Sequence, residues 1–145
     1  MSSTTISEIR ARRVWDSRGR PTVEVEITTE TGQTGRAIAP AGASMGTGEA
    51  IDLRDGGPAF AGLDVQTALR GIRDEVAPAL RGMDVTDQAA LDAKLIALDG
   101  TPNMARLGGN ASIATSMAAL HTAAATRAMP LWRHLSGDSA PPFLP

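Results

Sequence analysis

Thr22-Val23-Glu24-Val25-Glu26-Ile27-Thr28-Thr29 sets Val23, Val25 and Ile27 against Glu24, Glu26 and Thr28. Such a two-residue period belongs to a β-strand with one face buried and one wet. Working outward, Thr31-Gly32-Gln33 supplies turn chemistry, and Gly35-Arg36-Ala37-Ile38-Ala39 follows as a second strand-like run. The two runs therefore predict a hairpin. Upstream, Ile9 to Trp15 is a weaker strand candidate, because Arg10, Arg12 and Arg13 interrupt the alternation.

Beyond residue 50 the period changes from two to about 3.6. Val65, Leu69, Ile72, Val76 and Leu80 fall on one helical stripe, with Asp64 placed to cap it and Pro78 placed to bend or end it. A second stripe, Leu91, Leu95 and Leu98, predicts a helix from near Thr86 that Gly100 and Pro102 stop. Ile113, Met117, Leu120 and Ala124 mark a third, with Asn110 as its cap. Strands first and helices afterwards give an α+β domain, a small three-stranded antiparallel sheet followed by a helical bundle. One domain over residues 1–135 and a linker over 136–145 complete the organisation; no internal repeat is visible.

Between the strands and the helices lies Pro40-Ala41-Gly42-Ala43-Ser44-Met45-Gly46-Thr47-Gly48-Glu49-Ala50, a stretch of small residues. So little bulk lets a backbone close over a charged ligand, although a flexible surface loop has the same composition. The glycines do not make a nucleotide site: no Gly-Lys-Ser/Thr step is present, and the dinucleotide spacing fails. His121 and His134 are too far apart for a one-turn metal pair, and Asp84, Asp87, Asp92 and Asp99 fit helix ends and polar faces. Lys94, the only lysine, reads as a surface side chain in mid-helix.

Bulk properties narrow the function classes. With 14 basic against 16 acidic residues the net charge is -2, which offers no electrostatic footprint for nucleic acid or an anionic membrane. No apolar run approaches a membrane span. The chain has no cysteine, so disulfides and thiolate metal sites are excluded, and no secretory leader is visible at Met1-Ser2-Ser3-Thr4-Thr5. A cytoplasmic location is the expectation.

Taken in order, several blocks resemble the amino-terminal domain of enolase. They are Asp16-Ser17-Arg18-Gly19-Arg20-Pro21-Thr22-Val23-Glu24-Val25-Glu26, the small-residue stretch, and Leu98-Asp99-Gly100-Thr101-Pro102-Asn103. After them Gly108-Gly109-Asn110-Ala111 opens an Ala-rich helix that closes on Pro130-Leu131-Trp132-Arg133-His134-Leu135. The resemblance covers nearly the whole chain. It implies a capping domain whose loop at Gly42, Ala43 and Ser44 acts as an active-site lid. In that family the serine matching Ser44 gives its hydroxyl and carbonyl oxygens to a second magnesium, a hard cation that accepts neutral oxygen ligands. The reaction implied is magnesium-dependent dehydration of 2-phosphoglycerate to phosphoenolpyruvate. Its lysine base, acid glutamate and main metal carboxylates belong to a barrel that these residues do not include, so the chain alone is expected to be inactive. The resemblance also implies a subunit-contact surface at Arg18 and Glu24.

The expected partners are a barrel domain or subunit, a phosphorylated small acid and a second copy, with magnesium needed only in the complete assembly. An unpaired capping domain is expected to expose an apolar face. At Ala41 and Met45 the family has serine and threonine; Met104 stands for lysine, and Ser112-Ile113-Ala114 for Ile-Leu-Gly. These departures keep two alternatives open, a non-catalytic interaction module and the capping half of a paralogue acting on a phosphonate or related acid.

Overall fold

A computed structural model of the chain describes residues 4–137. Strands β1 (Ile6–Trp15), β2 (Pro21–Thr29) and β3 (Thr34–Ile38) form one antiparallel sheet in the order β1-β2-β3. The expected alternation holds in the central strand, where Val23, Val25 and Ile27 are fully buried. The β2–β3 hairpin forms as predicted, closed by the Thr29 amide donating to the Gln33 carbonyl at 2.9 Å.

Strand β1 is longer than its sequence suggested, and the reason is local. Its register against β2 shifts between Ile6 and Glu8, so a bulge at Ser7 puts both Ile6 and Ile9 on the buried side despite their odd spacing. Below the bulge Ala11 pairs with Val25 and Arg13 with Val23. Arg13 therefore lies on the inward face. Its charge is met by Asp64, whose two carboxylate oxygens accept from Nη1 at 3.0 and 2.9 Å.

That pairing corrects the expected role of Asp64. The first helix, α1 (Gln66–Gly71), has no side-chain cap at its own amino end. Its first free amides, Gln66 and Thr67, are instead taken by the Asp55 carboxylate at 2.7 and 2.9 Å, from a loop far back in sequence. Nor does Pro78 stop the helix: the chain runs through a π-helical segment, Ile72–Val76, into α2 (Ala77–Leu80). The wider turn just upstream makes room for a proline ring that would otherwise meet the carbonyl four residues back. The predicted stripe survives, with Val65, Ile72, Val76 and Leu80 buried.

Helix α3 (Gln88–Asp99) starts at Asp87, which caps the Ala90 amide at 3.0 Å, and ends at Gly100 in the left-handed conformation. Helix α4 (Gly109–Thr126) packs on β2 and β3 but not with the face expected. Ile113 and Met117 are 50% and 43% exposed, while Ala111, Ala114, Thr115, Ala118, Ala119, Thr122 and Ala123 are buried. Close approach decides it. A Cβ at Gly35 of β3 would sit 2.3 Å from the Thr122 backbone nitrogen, so the helix lies on the strand at a distance that large side chains would prevent. Asn110 is also not an outer cap. It stands one residue inside α4 and clamps Leu53, accepting from its amide at 3.3 Å and donating to its carbonyl at 3.0 Å. A short helix, α5 (Leu131–Ser136), closes the described part; residues 138–145 of the expected linker lie outside the described residues. No helix among the described residues is long and apolar enough to cross a membrane.

Replacing Gly35 with alanine should cost about 3 kcal/mol, because the obstacle is helix backbone that cannot rotate away. Urea unfolding of Gly35→Ala should show a lower midpoint at unchanged slope; an unchanged midpoint would contradict this packing.

Candidate functional site

Strand β3 runs out at Ile38, and the chain then crosses the surface until α1 begins. Its first anchor is strand-like: the Ala39 amide donates to the Val23 carbonyl at 3.1 Å, and the buried Thr22 hydroxyl donates to the Ala39 carbonyl. Two residues on, the Ala41 carbonyl accepts from Arg18 Nη2.

The far end is held by backbone. The Ile51 amide donates to the Asn103 carbonyl at 2.8 Å, and the Gly109 amide to the Ile51 carbonyl at 2.6 Å. Two glycines permit this approach. A Cβ on Gly109 would fall 2.7 Å from Ala50 Cβ, and one on Gly108, at φ +96°, 2.6 Å from Leu53 Cβ. Asn103 in turn sits in a loop organised by the buried Asp99, which accepts from the amides of Thr101, Arg106 and Leu107 at 3.0, 3.1 and 2.7 Å and from the Thr101 hydroxyl. Burial pushes the Asp99 pKa up, but those hydrogen bonds outweigh it and hold the carboxyl below its ordinary value.

Between the anchors, residues 42–50 are all exposed. Within them the only internal ties among the described residues join Gly46 to Glu49, through a side-chain bond of 2.9 Å and a backbone bond of 3.3 Å. Gly42, Ala43 and Ser44 lie in the untied part, and the Ser44 hydroxyl has no hydrogen-bond partner among the described residues. Met45 is 83% exposed.

Beneath the loop is a cleft of about 650 Å³ lined in part by Gly42, Met45, Glu49, Arg20, Asp52 and Arg54. Its floor is charged and well tied. Arg54 donates to Asp52 at 2.9 Å and to the carbonyl of Leu63 at 2.7 Å, and it also donates to the carbonyl of Pro21. One buried oxygen, Asp52 Oδ1, is without a partner there.

The other expected site residues separate. Glu24 accepts from Arg12 of the neighbouring strand and is little exposed; Arg12 also reaches Glu26 at 3.2 Å. The Glu24 hydrogen bond raises the Arg12 pKa. Arg18, expected on the same contact surface, reaches the loop through its bond to the Ala41 carbonyl. His134 lies 3.5 Å from Arg127, where burial first and that charge second lower its pKa. Among the described residues no three His, Cys, Asp or Glu side chains converge as metal ligands. Three residues that hold the loop, Arg18, Asn103 and Asn110, act on segments remote in sequence, so no periodicity could have marked them.

A family model described as enolase, N-terminal domain, matches residues 6–135.

The Asp99 loop yields a pH test. Its folded pKa is lowered, so its stabilisation is complete above the unfolded value and fades as pH falls through the folded one, below roughly pH 4. Asp99→Asn turns two accepting positions into donors facing donors, and should cost about 2 kcal/mol at neutral pH. It should also flatten the acid limb of stability measured by urea titration at several pH values. A steeper acid limb in the variant would refute the assignment.

Proposed function

Because the chain belongs to the enolase N-terminal domain family, we propose that it is the capping domain of an enolase-like assembly and that Pro40–Ala50 is its closing flap. The observation that carries this is a loop anchored at both ends, untied from Gly42 to Met45, with a serine hydroxyl in that stretch that has no partner among the described residues. A lid needs those three properties together: fixed hinges, few internal bonds to break, and a polar group with nothing to do until it closes.

In this reading Ser44 supplies neutral oxygens to a magnesium ion whose carboxylate ligands come from a barrel partner. The free hydroxyl fits that task, since a hard octahedral cation takes such an oxygen when other oxygens fill the rest of its shell. When bound, magnesium supplies the positive charge that stabilises an acid whose carboxylate gains electrons on loss of the neighbouring proton. The flap's own work is to cover the phosphorylated acid and exclude water; Gly42 and Ala43 let the backbone come close without side-chain bulk. The substrate class is then a small phosphorylated acid, with 2-phosphoglycerate the leading case. Exposed Ile113, Met117, Trp132 and Leu135 support a chain that works against a partner.

The test is reconstitution. Mixed with an enolase barrel domain lacking its own cap, the chain should restore magnesium-dependent conversion of 2-phosphoglycerate, and Ser44→Ala should lower that gain about 10- to 100-fold, as losses near a metal site do. Binding without any gain in turnover would favour a non-catalytic interaction module, and turnover by the chain alone would defeat the capping role.

A further inference from the structure

We propose that Arg18 is a positioning residue: its guanidinium latches the amino-terminal hinge of the flap, and its release is what frees residues 42–48. This rests on the reading of Pro40–Ala50 as the closing segment.

The latch is built from the β1–β2 turn. Asp16 organises that turn with every polar group it has except one. Its amide donates to the Arg20 carbonyl at 2.9 Å, its carbonyl accepts from the Gly19 amide at 2.9 Å, and Oδ1 accepts from the amides of Arg18 and Arg20 at 2.8 and 2.9 Å. Gly19 takes φ +69°, a conformation costly for other residues. The backbone of Arg18 is thereby fixed, while its side chain remains 42% exposed and reaches across to the Ala41 carbonyl.

Position makes this bond decisive. Ala39, two residues before Ala41, is locked to Val23 in the manner of a strand. Gly42, one residue after it, begins the untied part. Arg18 thus sets where the rigid chain ends and the mobile flap begins. The carboxy-terminal hinge has no equivalent, because Ile51 is held by two backbone bonds within packed structure. Only the amino-terminal side is closed by one exposed side chain.

The released arginine also has a place to go. Asp16 Oδ2 is buried and lacks a hydrogen-bond partner, and Arg18 Nε stands 4.0 Å from it. Arg20 Nε, the other nearby donor, is 3.7 Å away and likewise unpartnered. A carboxylate oxygen is a stronger acceptor than a carbonyl, so Arg18 can exchange Ala41 for Asp16 without leaving a charge uncompensated.

The experiment is NMR on the full 145-residue chain as wild type, Arg18→Ala and Arg18→Lys. In Arg18→Ala, backbone order parameters from Gly42 to Ser44 should fall below about 0.6. Hydrogen exchange of the Ala39 amide should accelerate roughly three- to tenfold, and the Val25 and Ile27 amides should be unchanged. Arg18→Lys keeps a charged donor of similar reach and should restore most of both. Unchanged order in the flap of Arg18→Ala overturns the latch. So does a change spread evenly over the turn and β2, which would mean that Arg18 merely supports the fold, or a lysine variant no different from alanine. Failure of the Ser44 reconstitution with this NMR result intact would remove the flap's chemistry and leave the latch; the opposite pair of results would leave a flap without one.

Discussion

Helix α4 can lie on the sheet only because its contact face carries almost nothing larger than a methyl or hydroxyl group. Gly35 and Thr122 show the limit, since no side chain fits between strand and helix backbone there. The buried hydroxyls on this face are not stranded polar groups. Thr115 donates to the Ala111 carbonyl and Thr122 to the Ala118 carbonyl, each at 2.8 Å, and the Thr122 hydroxyl also lies 3.2 Å from the Ile27 carbonyl of β2, so neither is left without a partner. Each buried methyl contributes only about 0.8 kcal/mol. Close packing over the length of an 18-residue helix makes up for the small size of each contribution.

The same helix places the candidate site. Its first residues are where Ala50, Ile51 and Leu53 dock, through Gly108, Gly109 and both ends of the Asn110 amide. A shift of α4 away from the sheet would therefore move the carboxy-terminal hinge of the loop as well. Core packing and loop geometry are one constraint here, joined at the amino end of a single helix.

Much of this was legible in the sequence, for identifiable reasons. The alternation in β2 and the stripes through Val65–Leu80 and Leu91–Leu98 report burial by large side chains, which is what periodicity detects. The third stripe misled because α4 buries alanine and threonine, residues with little apolar signal, and leaves Ile113 and Met117 outside. The bulge at Ser7 hid the first three residues of β1 by breaking the alternation. Asp64, Asp55 and Asn110 were unreadable in detail because each bonds to a segment far away in sequence. The loop itself stood out through composition, but nothing local marked Arg18 as its anchor.

A closing loop has to satisfy two opposed requirements. Its hinges must be rigid enough to return the same atoms to the same place, since a misplacement of about 1 Å can remove much of a catalytic advantage. Its middle must have few bonds to lose, or closure would cost more than substrate contacts return. The chain meets the first requirement with Val23, Asn103 and Gly109, each tied through backbone groups, and the second with a run of Gly, Ala and Ser that makes almost no internal hydrogen bonds. Neither Ala41 nor Met45 carries a hydroxyl that could tie the loop down or contact a ligand, and Met45 is 83% exposed. In the proposed reading Ser44 is what is left to meet a cation, and a single neutral oxygen binds a divalent ion weakly by itself. On that proposal its value would lie in being delivered only when the flap is shut, so that recognition of the ligand and exclusion of water would become the same event.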